Sequence, residues 1–378
     1  MSIPSKAPNR LLAFILDKKV ILGLYLIGND EIVDIHHAGT AMRFLTAYFA
    51  TQPGREVVLT GSPRMKERPI KILVEALRQL GAIITYEAEE GYPPIRIVGK
   101  KLSESKVALP ADVSSQYISA LLLIAAGLEN GLELTLEGKI TSIPYIMMTL
   151  QLLKEVGITG HFEGNTIRVA RMIEALAPVT VTVESDWSSA SYFYSIVALA
   201  SPGTVITLSS YKANSLQGDS ALADLYQSFG VETTFENKYV VLKKTATPLQ
   251  SVTFELNHTP DIAQTIAVTC FGLGIGCHLT GLHTLKIKET DRLEALKTEL
   301  EKLGAAIAVT DDSLTLEAAT TITTNVSIAT YHDHRMAMAF APLALRVPII
   351  IADAGVVSKS YPDFWNDLKA LNFEVSEL

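Results

Sequence analysis

A pattern that recurs about every 74 residues constrains the fold of this 378-residue sequence more than any other feature. A helix-like segment that ends in an apolar residue followed by glycine occurs four times, at Gly81, Gly157, Gly230 and Gly304. A fifth copy ends at Asn372, and asparagine also tolerates the left-handed conformation at a helix end. Because a β-rich run follows each of these positions, we predict a repeated structural unit.

Each repeat opens with a helix that is apolar on nearly all sides and is therefore expected to be buried. These opening helices are predicted at 38–50, 114–126, 188–200, 261–271 and 334–345. The strands that follow them are predicted at 57–59, 132–136, 205–208, 277–279 and 349–351. An amphipathic second helix, clearest at 70–80 and 292–303, and two short strands complete the repeat. The predicted unit is therefore roughly βαβαββ.

One such unit cannot bury its apolar face alone, and stacking several units solves this problem. We therefore predict an α/β (α+β) fold with two domains built from repeated units. The first domain is expected at residues 1–184, with a curtailed first unit and two full units, and the second at 185–378, with three units. A ligand cleft is expected at their boundary, near 184–186.

The composition excludes several classes of protein. The net charge of −8 argues against extensive nucleic-acid binding, although a local basic pocket for a small anion stays possible. Two cysteines, Cys270 and Cys277, cannot form a disulfide framework or a four-cysteine zinc site, and they indicate buried thiols in a reducing cytoplasm. The longest apolar stretch, 263–282, is interrupted by polar residues and glycines, and residues 1–10 lack the pattern of a signal peptide. We therefore expect a cytoplasmic protein that contacts no membrane.

Basic side chains are concentrated where helices of the repeats begin. Arg68, Lys288, Arg292, Arg335 and Lys359 all lie at or just before such points. Backbone N–H groups and the helix dipole favour anions there. Together these residues predict a site for a ligand with two phosphates, or with a phosphate and a carboxylate.

Each of these residues also has a simpler interpretation. Arg68 and the adjacent Glu67 form a plausible solvated pair, and segment 288–292 is compatible with an ordinary surface network of charges. His334 beside Asp333 is compatible with a buried structural pair. No third metal ligand follows that pair at a useful helical spacing, so no metal site is predicted.

Two polar helix starts have a similar alternative. Ser114 and Ser115 precede an apolar helix, and Asp261 follows Pro260 in the same position of a later repeat. Serine and aspartate are preferred N-terminal caps, so either could serve the helix alone. The recurrence of charged or polar openings at equivalent points of several repeats favours a functional role.

Several of these segments occur in a known order and resemble the 5-enolpyruvylshikimate-3-phosphate (EPSP) synthase family. The resemblance runs from about Ile35 to the C-terminus. The matching segments are HAGTAMR (37–43), LTGSPRMKERP (59–69), VSSQ (113–116), PD (260–261), KETDR (288–292), DHRMAM (333–338) and Lys359.

The resemblance implies an activity and an architecture. The family transfers the enolpyruvyl group of phosphoenolpyruvate to the 5-hydroxyl of shikimate 3-phosphate and releases phosphate, by addition and then elimination. It uses no metal and no organic cofactor, belongs to aromatic amino-acid and chorismate biosynthesis, and is the target of glyphosate. Its fold has two domains of repeated βαβαββ units, of the inside-out α/β barrel type, around a cleft. We accordingly expect a cytoplasmic monomer with two small-molecule substrates.

The resemblance also assigns roles to individual residues. Those expected to bind phosphoenolpyruvate are Gly39, Arg68, Gln116, Arg292, Arg335 and Lys359. Those expected to bind shikimate 3-phosphate are Ser114, Ser115, Gln116, Ser142, Tyr145, Asp261 and Lys288. The catalytic set comprises Asp261, Glu289 and Lys288, in which Asp261 is the base for the 5-hydroxyl and Glu289 handles the proton at the methylene carbon.

The sequence departs from the family pattern in places. His37, Phe44 and Thr284 replace the asparagine, proline and asparagine common in the family. Lys6 and Arg10 are four residues apart where the family's substrate-phosphate motif has five. An alternative function is therefore an impaired family member that only binds an anionic ligand. The sister enzyme that acts on a UDP-amino-sugar is disfavoured, because its loop cysteine has no counterpart in 61–69.

Overall fold

The structure is a computed structural model that describes residues 2–3, 31–110, 114–138, 140, 143–173, 180, 183–236, 239–246 and 250–377. Residues grouped by their contacts form two compact units. The N-terminal unit lies within Arg10–Thr182, and the C-terminal unit comprises Val183–Leu378 together with the strand Ser2–Ile3. The predicted domain boundary after residue 184 stays a prediction.

Strands and helices alternate along the chain. The strands are β1 (Ser2–Ile3), β2 (Ile32–Asp34), β3 (Glu56–Thr60), β4 (Ile83–Tyr86), β5 (Ile95–Val98), β6 (Lys106–Pro110), β7 (Leu132–Glu137), β8 (Gly160–Glu163), β9 (Thr166–Val169), β10 (Val205–Ser209), β11 (Val231–Glu236), β12 (Tyr239–Lys244), β13 (Val252–Glu255), β14 (Cys277–Thr280), β15 (Ile307–Val309), β16 (Ser313–Leu316), β17 (Val326–Ile328) and β18 (Ile349–Ile351). The α-helices are α1 (Gly39–Ala50), α2 (Pro63–Lys66), α3 (Lys71–Gln79), α4 (Ser115–Ala125), α5 (Ile143–Glu155), α6 (Trp187–Leu199), α7 (Leu222–Leu225), α8 (Ala263–Leu273), α9 (Arg292–Lys302), α10 (His334–Phe340) and α11 (Phe364–Ala370). The 3₁₀ helices are Gly218–Ala221, Tyr226–Phe229, Pro260–Ile262, His283–Ile287, Ala341–Leu345 and Ala354–Lys359.

The N-terminal unit contains two copies of the predicted repeat. Its four-stranded sheets have the orders β2-β3-β5-β4 and β6-β7-β9-β8. In each sheet the first two strands are parallel and are connected through an opening helix, whereas the last two form an antiparallel hairpin. The βαβαββ prediction and the α/β class are confirmed.

The C-terminal unit contains three related sheets. Sheet β13-β14-β16-β15 repeats the same order. Sheet β1-β10-β12-β11 also repeats it, but its first strand comes from the start of the chain, where Ser2 and Ile3 pair in parallel with Thr207 and Leu208. The last sheet has two parallel strands, β17 and β18. The predicted β-run at 373–375 forms no strand in the described residues, so the closing hairpin of this repeat was predicted wrongly there.

The residues that mark the repeats end helices in the predicted way. Gly81, Gly157, Gly230 and Gly304 have φ angles of 96°, 86°, 71° and 97°, and Asn372 has 68°. A left-handed residue at this point lets the chain leave the helix and turn back towards the sheet. This part of the sequence prediction is confirmed.

Each unit has a hydrophobic core of its own, and the opening helices lie in it. Every residue of α6 is buried, and so are most of those of α8. Since such a helix has no exposed face, its first turn is the part that can contact a ligand. In the described part of the chain, no helix is long and apolar enough to cross a membrane.

Candidate active site

The C-terminal unit places one carboxylate among three cations. Asp261 lies in the 3₁₀ turn that leads into α8. Its Oδ1 accepts a hydrogen bond from Arg292 Nη1 at 2.9 Å and lies 3.3 Å from Lys288 Nζ. Its Oδ2 accepts from Arg335 Nη2 at 3.2 Å. The structure therefore brings together four residues that the sequence predicted for one site, and the alternative that Asp261 is a helix cap is wrong, because its carboxylate faces cations.

Arg292 is the central cation of this cluster and is only 2% exposed. Its Nε donates to Asp333 Oδ2 at 2.6 Å, and its Nη2 donates to Glu289 Oε2 at 2.7 Å. With the bond to Asp261, the guanidinium contacts three carboxylates. The interpretation of 288–292 as an ordinary surface network is wrong for Arg292, since a nearly fully buried guanidinium needs its partners.

Asp333 aligns two of the arginines. It is fully buried, accepts from Arg292, and caps α10 by accepting from the backbone N–H of Arg335 at 2.8 Å. One side chain thereby fixes the Arg292 guanidinium and the start of the helix that carries Arg335. The sequence analysis treated Asp333 only as a neighbour of His334, whose Nδ1 lies 3.8 Å away from Asp333 Oδ1.

The cations determine the charge state of the site. Burial raises the pKa of Asp261, but the charges of Arg335, Lys288 and Arg292 outweigh it and hold that pKa well below its usual range. Burial also raises the pKa of Glu289, and Arg292 again dominates, so the net shift is downwards. Both carboxyl groups are therefore ionised at neutral pH in the ligand-free chain.

A second aspartate, Asp219, lies close enough to Asp261 to be influenced by its charge. No motif in the sequence predicted a role for this residue. Asp219, in the 3₁₀ helix Gly218–Ala221, accepts hydrogen bonds from Ser188 Oγ and Thr259 Oγ1. Burial, and then the charge of Asp261, raise the pKa of Asp219. Ser188 also lies 3.3 Å from Arg335 Nη2 and so connects Asp219 to the cation cluster.

The N-terminal unit has a cationic cluster of its own at the start of α1. Gly39 is the first residue of this helix, and the preceding Ala38 has no side-chain acceptor to cap it. A Cβ atom on Gly39 would lie 2.6 Å from Arg68 Nη1 and 2.8 Å from Arg43 Nη1. A glycine is therefore needed for both guanidinium groups to approach the backbone. The sequence predicted Gly39 and Arg68 for the site but indicated no role for Arg43.

Arg68 has no ion pair with its neighbour. Glu67 pairs instead with Arg64, at 2.7 Å, and both of those side chains are exposed. The interpretation of Arg68 and Glu67 as a solvated pair is therefore wrong.

The start of α4 carries the polar residues of the second predicted motif. Ser114 Oγ caps this helix by accepting from the backbone N–H of Gln116 at 3.4 Å, and Ser115 is its first residue. Gln116 Nε2 donates to Thr40 Oγ1 at 3.0 Å, which links the start of α4 to that of α1. Tyr145, on α5, is 44% exposed.

Some predicted residues lie outside what the structure describes. These are Ser142, Lys6, Arg10 and the side chain of Lys359. Of the departures from the family pattern, Phe44 packs against the core and Thr284 has a buried hydroxyl without a hydrogen-bond partner. Within the described ranges, no group of three or more His, Cys, Asp and Glu residues could hold a metal ion.

The Asp333 geometry predicts a large effect on stability. Replacing Asp333 with alanine removes the partner of a buried charge, so Asp333→Ala should lower the free energy of unfolding by about 3 kcal/mol or more. Asp333→Asn keeps a cap for α10 and should recover about 1 kcal/mol of that loss. Urea denaturation measures both.

The matched control is Asp312→Ala. Asp312 also accepts a backbone N–H, from His283 at 3.0 Å, but its side chain is 60% exposed. If Asp333→Ala lowers the free energy of unfolding no more than this control does, the buried pair of Asp333 and Arg292 does not stabilise the unit as predicted.

His334 makes stability depend on pH. Burial and the charge of Arg335 lower its pKa from 6.5 to about 4, and its Nδ1 is buried without a hydrogen-bond partner. Since the unfolded chain binds the proton more readily, this contribution is fully present above pH 6.5 and is lost as the pH falls to about 4. We expect a change of up to about 3 kcal/mol in the free energy of unfolding. His334→Gln should remove this part of the pH dependence, and an unchanged slope between those pH values would contradict the assignment.

Comparison with known proteins identifies the family. A sequence model of the family described as EPSP synthase (3-phosphoshikimate 1-carboxyvinyltransferase) matches residues 20–368. A protein of Bacteroides fragilis strain YCH46, named 3-phosphoshikimate 1-carboxyvinyltransferase, is 47% identical over 95% of this chain and 87% of its own length. A protein of the same name from Vibrio campbellii is 38% identical over 89% of this chain and 78% of its own length.

A solved structure supports the fold independently. An EPSP synthase from Acinetobacter baumannii has a TM-score of 0.75 over 90% of this chain and 78% of its own, at 24% sequence identity. Identity at this level shows a shared fold of two domains. Together with the matched sequence motifs at both cationic clusters, these comparisons show that the chain belongs to the EPSP synthase family.

Proposed function

We propose that this chain transfers the enolpyruvyl group of phosphoenolpyruvate to the 5-hydroxyl of shikimate 3-phosphate and releases phosphate. Its relatives are named 3-phosphoshikimate 1-carboxyvinyltransferases, and the reaction makes the chain a transferase of the shikimate pathway. The observation that carries the proposal is the Asp261 carboxylate held by Lys288, Arg292 and Arg335. Such a site can bind an anionic substrate and accept a proton from a hydroxyl.

The chemistry is an addition followed by an elimination. Asp261 accepts the proton of the 5-hydroxyl while the oxygen of that hydroxyl bonds to C2 of phosphoenolpyruvate. In the same addition, C3 takes up a proton from Glu289. The resulting tetrahedral intermediate then loses phosphate, which takes the proton held by Asp261. C3 returns a proton to Glu289 in the same step, which restores the double bond and both carboxyl groups. Lys288 and Arg335 stabilise the negative charge that develops on the reacting groups.

Substrate binding changes the pKa values of Asp261 and Glu289, the two residues that carry protons in this mechanism. In the ligand-free chain, Arg292 and Arg335 are among the charges that keep the pKa values of Asp261 and Glu289 low. A carboxylate with a low pKa is a weak base. An anionic substrate that takes up those positive charges raises both pKa values, so Asp261 becomes a stronger base and Glu289 can hold a proton.

The remaining predicted residues provide substrate binding in this proposal. Those that bind phosphoenolpyruvate are Gly39, Arg68, Gln116, Arg292, Arg335 and Lys359. Those that bind shikimate 3-phosphate are Ser114, Ser115, Gln116, Ser142, Tyr145, Asp261 and Lys288. Both sets draw on residues before and after the predicted boundary at 184–185.

The setting of the enzyme follows from the same proposal. We expect a cytoplasmic monomer that glyphosate inhibits by occupying the phosphoenolpyruvate site. Cys270 and Cys277 are buried free thiols, which suits a reducing compartment. The intact cluster around Asp261 supports the active enzyme over the impaired alternative.

Phosphate release tests the proposal directly. The full chain is incubated with phosphoenolpyruvate and shikimate 3-phosphate, together and separately, and the released phosphate and the enolpyruvyl product are measured. Release only when both substrates are present supports the transferase. Calorimetric binding of shikimate 3-phosphate without any turnover would support the impaired alternative instead.

Asp261 gives the sharpest mutational prediction. Asp261→Ala should lower kcat by orders of magnitude while substrate binding largely survives, because it removes proton transfer in the transition state. The matched control, Asp311→Ala, removes an exposed aspartate that pairs with Lys286 and should keep the parent kcat. A parent-like kcat for Asp261→Ala would eliminate Asp261 as the base.

A further inference from the structure

Arg43 is a buried cation that the proposed mechanism does not use. It lies one turn after Gly39 on α1 and is 5% exposed. Its Nη1 donates to the Gly39 carbonyl oxygen at 2.8 Å, and its guanidinium lies 5.9 Å from the centre of the Tyr117 ring. Tyr117 in turn donates from its hydroxyl to the carbonyl oxygen of Pro69, the residue after Arg68.

Among the residues that the structure describes, Arg43 has no carboxylate partner. Its Nε is buried without a hydrogen-bond partner. No carboxylate of the described residues influences it, whereas burial and the charge of Arg68 both lower its pKa. A buried guanidinium without a carboxylate is costly unless another anion compensates it.

Arg43 and Arg68 converge on one point of the backbone. Their Nη1 atoms lie 2.8 and 2.6 Å from the position that a Cβ on Gly39 would take, so the two like charges are close neighbours. Arg43 occupies the buried side of this position and Arg68 the exposed side. The repulsion between them opposes a closer approach of Arg68 to the buried side, where Arg43 lies.

We propose that Arg43 is a positioning residue for the anion that Arg68 binds, which the proposed function identifies as phosphoenolpyruvate. Arg43 holds the Gly39 carbonyl and keeps the Arg68 guanidinium facing outwards, and the bound dianion compensates both charges. The inference rests on the proposed function for the identity of the ligand. It also explains why residue 39 is glycine, since a methyl group there would displace the two guanidiniums.

Steady-state kinetics of the full chain test this role. Arg43→Met removes the charge but keeps a long side chain against Tyr117, and it should raise the KM for phosphoenolpyruvate about tenfold, or ~1.4 kcal/mol. The KM for shikimate 3-phosphate should stay near the parent value, which a general loss of structure would not allow. Arg43→Lys retains both the charge and a donor and should restore most of the affinity.

Arg55→Met is the matched control, because Arg55 also lies over an aromatic ring, that of Phe49 at 5.0 Å, but does not approach Gly39. It should leave both KM values unchanged. An unchanged KM for phosphoenolpyruvate in Arg43→Met, or an equal rise for both substrates, would overturn the proposal.

A double variant separates positioning from direct binding. If Arg43 acts through Arg68, then adding Arg43→Met to Arg68→Met should cause little further loss. Additive losses would mean that Arg43 acts independently, and they would reject the positioning role.

Binding of inorganic phosphate, followed by phosphorus NMR on the same variants, keeps the test separate from catalysis. A parent chain that has no turnover, but whose phosphate binding is weakened by Arg68→Met and by Arg43→Met and no further by both together, refutes the proposed function and supports the role of Arg43. A parent chain that binds no phosphate refutes the role of Arg43 as well.

Discussion

The C-terminal site depends on the burial of one guanidinium. Arg292 is almost completely removed from water, and three carboxylates share its guanidinium. A change in any one of these contacts therefore affects the other two. Asp333 is fully buried and fixes the position of the Arg292 guanidinium. Asp261 and Glu289, its other two partners, are partly exposed. Because the loss of a partner strongly destabilises a buried charge, the stability of the unit and the proposed catalysis depend on the same few contacts.

The repeated fold explains why such chemistry lies at helix starts. An opening helix such as α6 or α8 is enclosed by its own unit, and its first turn is the part left to contact a ligand. Backbone N–H groups at that turn favour anions, and cationic side chains near it strengthen the preference. Cationic side chains lie near the start of α1 in one unit and of α10 in the other, although α1 has no side-chain cap and Asp333 caps α10.

The sequence alone predicts the features of the fold that depend on local patterns of residues. Glycine at helix ends and apolar helices recur within each repeat, so the order of elements and most helix positions could be read from the chain. The pair between Arg292 and Asp333, 41 residues apart, depends on packing that no local pattern records. Asp219 carries no motif for the same reason, and a strand at 373–375 would need a partner strand that β-rich composition cannot supply. The two-residue strand β1 is too short to leave any periodic signal.

The position of β1 in the sequence affects when its sheet can assemble during synthesis. Its partner, β10, is synthesised about two hundred residues later, so Ser2 and Ile3 of a nascent chain stay unpaired until β10 has emerged from the ribosome. The C-terminal unit is therefore discontinuous in sequence, and a fragment starting at Val183 would lack one edge of a sheet.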